Sequence, residues 1–272
     1  MSILLLSNQQ DAVATALYNR LLADKQPVRH VLAEELAYAR SWKQSIDQSG
    51  KTDSIIVLQD GFVIDSRKIR RVFNRIRYLP MVHFIKEIDR TYAEMEMYAL
   101  FMSFLKSLNR LMPDPLLTRN LSLDDSNMFF YNSLAIQARL PILDFHYTSS
   151  PRWQYTNGLI PVNAVKRPAS GYKKSAHLVW ENQPTLFISP FKDIIKILVV
   201  GEEIVMPATV KKFKNAFRKF ADLAGLHFFE AYMAETEKGY RLIDVNTFPP
   251  YADDETIEKL SQFLLPPKKL KN

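Results

Sequence analysis

Phe228–Tyr251 reads F-F-E-A-Y-M-A-E-T-E-K-G-Y-R-L-I-D-V-N-T-F-P-P-Y, and what it demands can be followed outward through the rest of the chain. Two short apolar runs, Phe228–Met233 and Tyr240–Val245, flank E-T-E-K-G, and a Gly in a polar loop between β-prone runs is the pattern of a hairpin. Alternation then puts Glu230 on one face of the first strand, with Asp244 and Asn246 together on one face of the second. Two carboxylates and an amide oxygen form a hard donor set. Such a set suits Mg²⁺, which keeps several waters and usually shares its shell with nucleotide phosphates. Any one of these side chains alone is more simply a solvated residue at a strand end. The three together predict a phosphate-bearing cosubstrate.

Upstream, Gln183–Glu203 carries L-F-I-S followed by D-I-I-K-I-L-V-V-G-E-E. On a strand, Ile194, Lys196 and Leu198 share one face, and Ile195, Ile197 and Val199 the other. A lysine among apolar neighbours wants an anionic partner, because its charge is costly to bury alone. The plainer alternative is an edge lysine that snorkels to water. Further upstream, K-R-P-A-S-G-Y-K-K-S places Lys166, Lys173 and Lys174 around Gly171, a basic cluster that also reads as a solvated loop.

These motifs resemble the ATP-grasp superfamily, and they occur in the superfamily's order from about Asn127 to Tyr251. D-V-N-T-F-P-P-Y is similar to the [DE]-x-N-x-x-P-G segment that closes the nucleotide site, with Pro250 where Gly is usual and Glu230 where Asp is commoner. L-F-I-S resembles the hinge whose backbone meets adenine, which points to Phe187 and Ile188. D-I-I-K-I-L-V-V-G resembles the D-x-R-x-x-V-V-G strand, with Lys196 in place of Arg, an exchange that loses bidentate geometry. Lys166 stands where relatives have V-K-P before a glycine-rich flap. Here the flap leans on Lys173 and Lys174 rather than on bare amides. Asn127 replaces a nucleotide-binding Lys, and the segment after Val200 is shorter than in relatives.

The resemblance implies an α/β (α+β) chain, a Rossmann-like N-terminal domain at 1–112 followed by a two-subdomain ATP-grasp fold at 113–272, with subdomains about 113–185 and 186–272. It implies a carboxylate-amine ligase similar to RimK-type and peptide-modifying enzymes, working through an acyl phosphate. The cofactors are ATP and Mg²⁺. Glu230, Asp244 and Asn246 take the metal, Lys166, Lys173, Phe187, Ile188 and Lys196 the nucleotide, and Lys196 also serves catalysis. Arg75, in F-N-R-I-R-Y-L-P, is a candidate substrate contact. Two other readings stay open: an ATP-grasp kinase of a small anionic substrate, and a degenerate module that binds without turnover.

Composition sets the outer limits. With 272 residues, 47% hydrophobic and 24% charged, the chain can bury a sizeable core in one or two domains. The absence of cysteine excludes disulfides, thiolate nucleophiles and Cys-based metal sites. A net charge of +7 suits a polyanion, but a nucleotide enzyme needs the same excess locally, so nucleic acid is not implied. No apolar run is long enough to cross a membrane, and M-S-I-L-L-L lacks the basic start of a secretory signal. The expected setting is cytoplasmic, with a small-molecule or peptide substrate, and a homo-oligomer is left open.

Along the chain, Ile3–Ser7 predicts a strand and Asp11–Ala23 an amphipathic helix. Ser54–Gln59 and Phe62–Asp65 predict a hairpin about Asp60-Gly61. Ile69–Ile76 fits helix or strand. Phe84–Leu108, free of Gly and Pro, predicts a long helix that ends before M-P-D-P. A second helix is expected from about Asn127 to Arg139, strands at Leu140–Tyr147 and Val162–Lys166, and a basic helix at Val210–Leu223 with Phe213, Phe217 and Phe220 on one face. A short helix is expected at Asp254–Leu264.

Overall fold

Residues 3–50, 52–80, 87–114, 128–148, 160–162 and 185–265 are described by the computed structural model. Lys166, Lys173, Lys174 and Asn127 lie outside them. The chain divides into two units: Met1–Asp125 with Gly225–Phe228 and Thr247–Asn272, and Ser126–Ala224 with Phe229–Asn246.

In the first unit the wholly buried strand β1 (Ile3–Ser7) leads to α1 (Ala12–Ala23). Asp11 caps that helix by accepting from the Ala14 N–H at 2.8 Å. Val13, Leu17 and Leu21 are its buried stripe, as the spacing predicts. β2 (Val28–Leu32) returns parallel to β1 and is followed by α2 (Ala33–Ala37). An antiparallel sheet follows, β3 (Ser41–Ile46), β4 (Thr52–Val57) and β5 (Val63–Asp65). Its predicted turn is present, with Gly61 at φ +84° and the Phe62 N–H bound to Asp60 Oδ1.

Ile69–Ile76, ambiguous by periodicity, contains β6 (Arg71–Arg75), parallel to β1 on the side away from β2. Val72 and Phe73 are both buried, so no alternation marks the strand in the sequence. The parallel part of this unit is three strands, β2-β1-β6. The long helix α3 (Glu87–Leu108) lays Phe101, Phe104, Leu105 and Leu108 into the core. There Trp42 meets Phe101 and Phe104 at ring separations of 5.5 and 5.6 Å.

The second unit begins with α4 (Met128–Gln137), then β7 (Phe145–Thr148), β8 (Ile160–Val162) and β9 (Thr185–Ile188). β9 is the middle strand of an antiparallel three-stranded sheet. A four-stranded sheet in the order β11-β10-β12-β13 is built from β10 (Ile194–Val200), β11 (Glu203–Val205), β12 (Phe228–Thr236) and β13 (Gly239–Asn246). Between β11 and β12, the basic segment forms a 3₁₀ turn at Ala208–Phe213 and then α5 (Lys214–Ala224), ending at Gly225 with φ +63°. Phe217 and Phe220 are fully buried, and Phe220 packs on Tyr131 and Phe229. The expected strand at Leu140–Tyr147 starts only at Phe145. Before it, Leu143 donates its N–H to the Leu242 carbonyl and Leu242 donates to that of Pro141, so the segment joins β13 by a single bridge.

The chain closes in the first unit with α6 (Asp254–Leu264), capped by Asp253 and linked to α1 by Arg20 to Glu258 at 3.4 Å. Arg75 is 3% exposed. Its Nε donates to both Asp11 oxygens at 3.0 and 2.8 Å, its Nη2 donates to the Pro249 carbonyl at 2.9 Å, and its plane lies 3.8 Å over Phe248. A substrate contact was expected of this residue. The guanidinium holds protein groups from two separate stretches of the unit, Asp11 and the Phe248–Pro249 pair.

Two predictions follow from these pairs. Arg75→Ala leaves the Asp11 carboxylate buried without its counter-ion and is expected to cost about 3–5 kcal/mol in urea unfolding. The Arg67 guanidinium, by bonding Asp65 at 2.8 Å, holds that carboxyl down at about 2. A lowered carboxylate pKa stabilises above the unfolded value and is lost as pH falls through the folded one. Asp65→Asn is therefore expected to flatten the loss of stability between about pH 4 and about pH 2, followed by denaturant midpoints across that window.

Candidate functional site

The β12–β13 hairpin forms where the sequence predicts it, with Glu237 and Lys238 at the turn and Gly239 at φ +93°. In its antiparallel register Glu230 lies opposite Asn246, and Tyr232 opposite Asp244. Residues directly opposite each other share a face. The three expected donors, Glu230, Asp244 and Asn246, thus stand on one face of the sheet, joined by Tyr232.

The register shifts between Tyr232 and Met233, so that Ile243 is an extra residue on β13, a bulge. Leu242 and Ile243 are consequently both buried. Strict alternation would have failed across this point, but Asp244 and Asn246 both lie on one side of it.

Glu230 is 4% exposed, and its carboxylate is fully engaged. Oε1 receives the Lys196 ammonium at 3.2 Å, and Oε2 accepts from the Tyr232 hydroxyl at 2.7 Å and from Asn246 Nδ2 at 3.3 Å. The anionic partner of Lys196 is Glu230, on the neighbouring strand β12, and it is the buried carboxylate rather than the lysine that needs the pairing. On β10 the alternation is as expected: Ile197 and Val199 are buried, while the Lys196 side chain is 58% exposed. Its stem leaves the sheet and its head group reaches over to Glu230. Burial, and then the bond to Glu230, push the Tyr232 hydroxyl well above its ordinary value. The phenol stays protonated and serves as a donor. Its role escaped the sequence reading, although its spacing of two residues from Glu230 in F-F-E-A-Y is the signal that would have found it.

Asp244 directs Oδ1 to the Val245 N–H at 2.9 Å. The donor set is two carboxylates and one amide oxygen. Among the described residues no three His, Cys, Asp or Glu side chains cluster as a metal site. The chemistry fits a hard, oxygen-seeking cation, and Lys196 already places a positive charge against the most buried of the carboxylates. Of the nucleotide residues expected, Phe187 and Ile188 lie on β9, where Phe187 is opposite His146 and Pro161, and Ile188 opposite Phe145 and Ile160. Ile188 is 3% exposed and packs with Leu143, Ala234 and Ile243. Lys166 and Lys173 lie outside the described residues.

No family model and no curated protein matches the sequence. Solved structures do match its fold. The chain is similar to the macrocyclase MdnC bound with precursor peptide MdnA from Microcystis aeruginosa MRC, at 15% identity and a TM-score of 0.71, over 97% of this chain and 99% of that one. It is similar to the ATP-grasp ligase PsnB complexed with a phosphomimetic variant of minimal precursor, Mg and ADP, at 16% identity and a TM-score of 0.72, over 97% of each. A third is the Chryseobacterium gregarium RiPP-associated ATP-grasp ligase in complex with ADP and a leader and core peptide, at 13% identity and 0.70, over 97% of this chain and 96% of that one. The chain has the fold of these ATP-grasp ligases, as the resemblance of its motifs implies.

Tyr232→Phe removes one donor from a buried carboxylate and is expected to cost about 1–3 kcal/mol of stability, measured by urea unfolding at neutral pH.

Proposed function

We propose that this chain is an ATP-dependent carboxylate-amine ligase acting on a peptide or amino acid. The observation that carries the proposal is the meeting of Glu230, Asp244, Asn246 and Lys196 on one sheet face within an ATP-grasp fold. A peptide substrate is favoured because MdnC and PsnB are bound to precursor peptides. A cytoplasmic setting, where ATP is abundant, belongs to the same reading.

Glu230, Asp244 and Asn246 would hold Mg²⁺. Lys166 and Lys173 are assigned to the phosphates, and the Phe187 and Ile188 backbone to adenine. When bound, Mg²⁺-ATP supplies the transferable phosphoryl group with its charge partly neutralised. A carboxylate of the substrate takes that group and ADP leaves. The amine nitrogen then attacks the acyl carbon, phosphate departs, and a proton is lost as the amide forms.

Lys196 has two tasks in this scheme. Without nucleotide it balances Glu230 at 3.2 Å. Were Mg²⁺ held by that carboxylate, its ammonium would be free to turn toward the charge developing on the transferred group, a preorganised electrostatic contribution. Tyr232 keeps the second Glu230 oxygen fixed throughout.

Mg²⁺-ADP at a hundred times its Kd is expected to stabilise the wild type by about 2.7 kcal/mol. Asp244→Asn is expected to abolish that gain, read as the thermal shift with and without Mg²⁺. An unchanged shift in the variant removes Asp244 from the metal site. Product analysis separates the chemistries: ADP with free phosphate and an amide marks a ligase, ADP with a phosphorylated acceptor a kinase, and binding without ADP release a module that does not turn over.

A further inference from the structure

A pocket of about 390 Å³ opens in the second unit beside the turn of the β12–β13 hairpin. It is small for a ligand site but within the usual range. Its walls are Leu143 and Asp144, the loop 189–192 after β9, and the hairpin residues Thr236, Glu237, Lys238 and Arg241. Backbone bonds tie these walls together: Ser189 N–H to the Asp144 carbonyl at 3.0 Å, Lys192 N–H to that of Glu235 at 2.8 Å, and Glu235 N–H to that of Asp193 at 2.8 Å. Along β12 the step from Glu230 to Thr236 is roughly 20 Å at about 3.3 Å per residue. Thr236 thus marks the far wall of the pocket, while Arg241 on the facing strand stands three residues, roughly 10 Å, from Asp244.

Its chemistry differs from that around Glu230 and Asp244. Leu143, Pro190 and Phe191 give it an apolar side, and Lys192, Lys238 and Arg241 bring three cations against the two carboxylates of Asp144 and Glu237. No ion pair with a described residue engages any of the three cations. The lining carries a net charge of +1, three cations less two anions. A polyphosphate would bring several negative charges against Asp144 and Glu237. A single carboxylate matches the excess, and the planar guanidinium of Arg241 suits its two oxygens.

We propose that this pocket is a second binding site, which takes one carboxylate carried on a short apolar stem. Two sources share that chemistry: a Glu or Asp side chain within a peptide, and a free small acid. The inference does not rest on the ligase reading.

The test is titration calorimetry on the full chain with two probes, the peptide acetyl-Ala-Glu-Ala-amide and the free acid 4-acetamidobutyrate, and with the Gln peptide as a neutral control. Binding of an acid probe is expected, with the control weaker by at least about tenfold. Arg241→Gln and Lys192→Gln are each expected to weaken it by a similar factor while leaving Mg²⁺-ADP binding unchanged. Lys238→Gln, on the exposed turn, reports the same direction with no packing at risk. Asp244→Asn is expected to retain acid binding, which separates this site from the nucleotide site. Tighter binding of the peptide assigns the pocket to a peptide side chain, and tighter binding of the free acid to a small carboxylate. The proposal is overturned if neither acid binds, if the Gln peptide binds equally well, if the cation variants bind as the wild type does, or if Mg²⁺-ADP displaces the probe.

Discussion

A carboxylate taken out of water has to be compensated, and Glu230 sets that condition for the second unit. At 4% exposure its charge is tolerable only because an ammonium, a phenol and an amide converge on its two oxygens. Those partners come from β10, from β12 itself and from β13, so the order β10-β12-β13 is also the order in which the charge is satisfied. Removing any strand from that order would leave the carboxylate short of a donor.

The first unit has a counterpart in Asp11 and Arg75. Asp11 does two jobs: it caps α1 through the Ala14 N–H and it neutralises a guanidinium that is 3% exposed. Through Arg75 the cap is coupled to the Pro249 carbonyl and the ring of Phe248. A helix start, a parallel strand and the T-F-P-P segment are thus held by one buried ion pair. In the sequence Arg75 stands among Arg70, Arg71 and Arg77, and nothing local marks it as the one that is buried.

Much of the fold was legible because local signals agreed with tertiary demands. Ile3–Ser7, the stripe of α1, the Asp60-Gly61 turn and the β12–β13 hairpin were all read with only small errors at their ends. That Asp244 and Asn246 share a face was legible for the same reason, since they are two residues apart on one strand. Other features were not. β6 is buried on both faces and shows no period. The segment from Leu140 to Asp144 has strand-like composition, but it spends its backbone on one bridge to β13. The partner of Lys196 lies 34 positions away, a contact that only the pairing of strands can specify.

The extra residue at Ile243 has a consequence for how the hairpin divides its surface. A strand without interruption offers one parity of positions to each side. Here odd-numbered Arg241, opposite Ala234, and even-numbered Asp244, opposite Tyr232, point the same way. One inserted residue lets a single β-strand present an acidic end and a basic end to the same side, with Ile243 as a hydrophobic divider between them. Shortening the strand by that residue would turn one of the two ends to the opposite side, so the spacing from Arg241 to Asp244 carries as much information as either side chain.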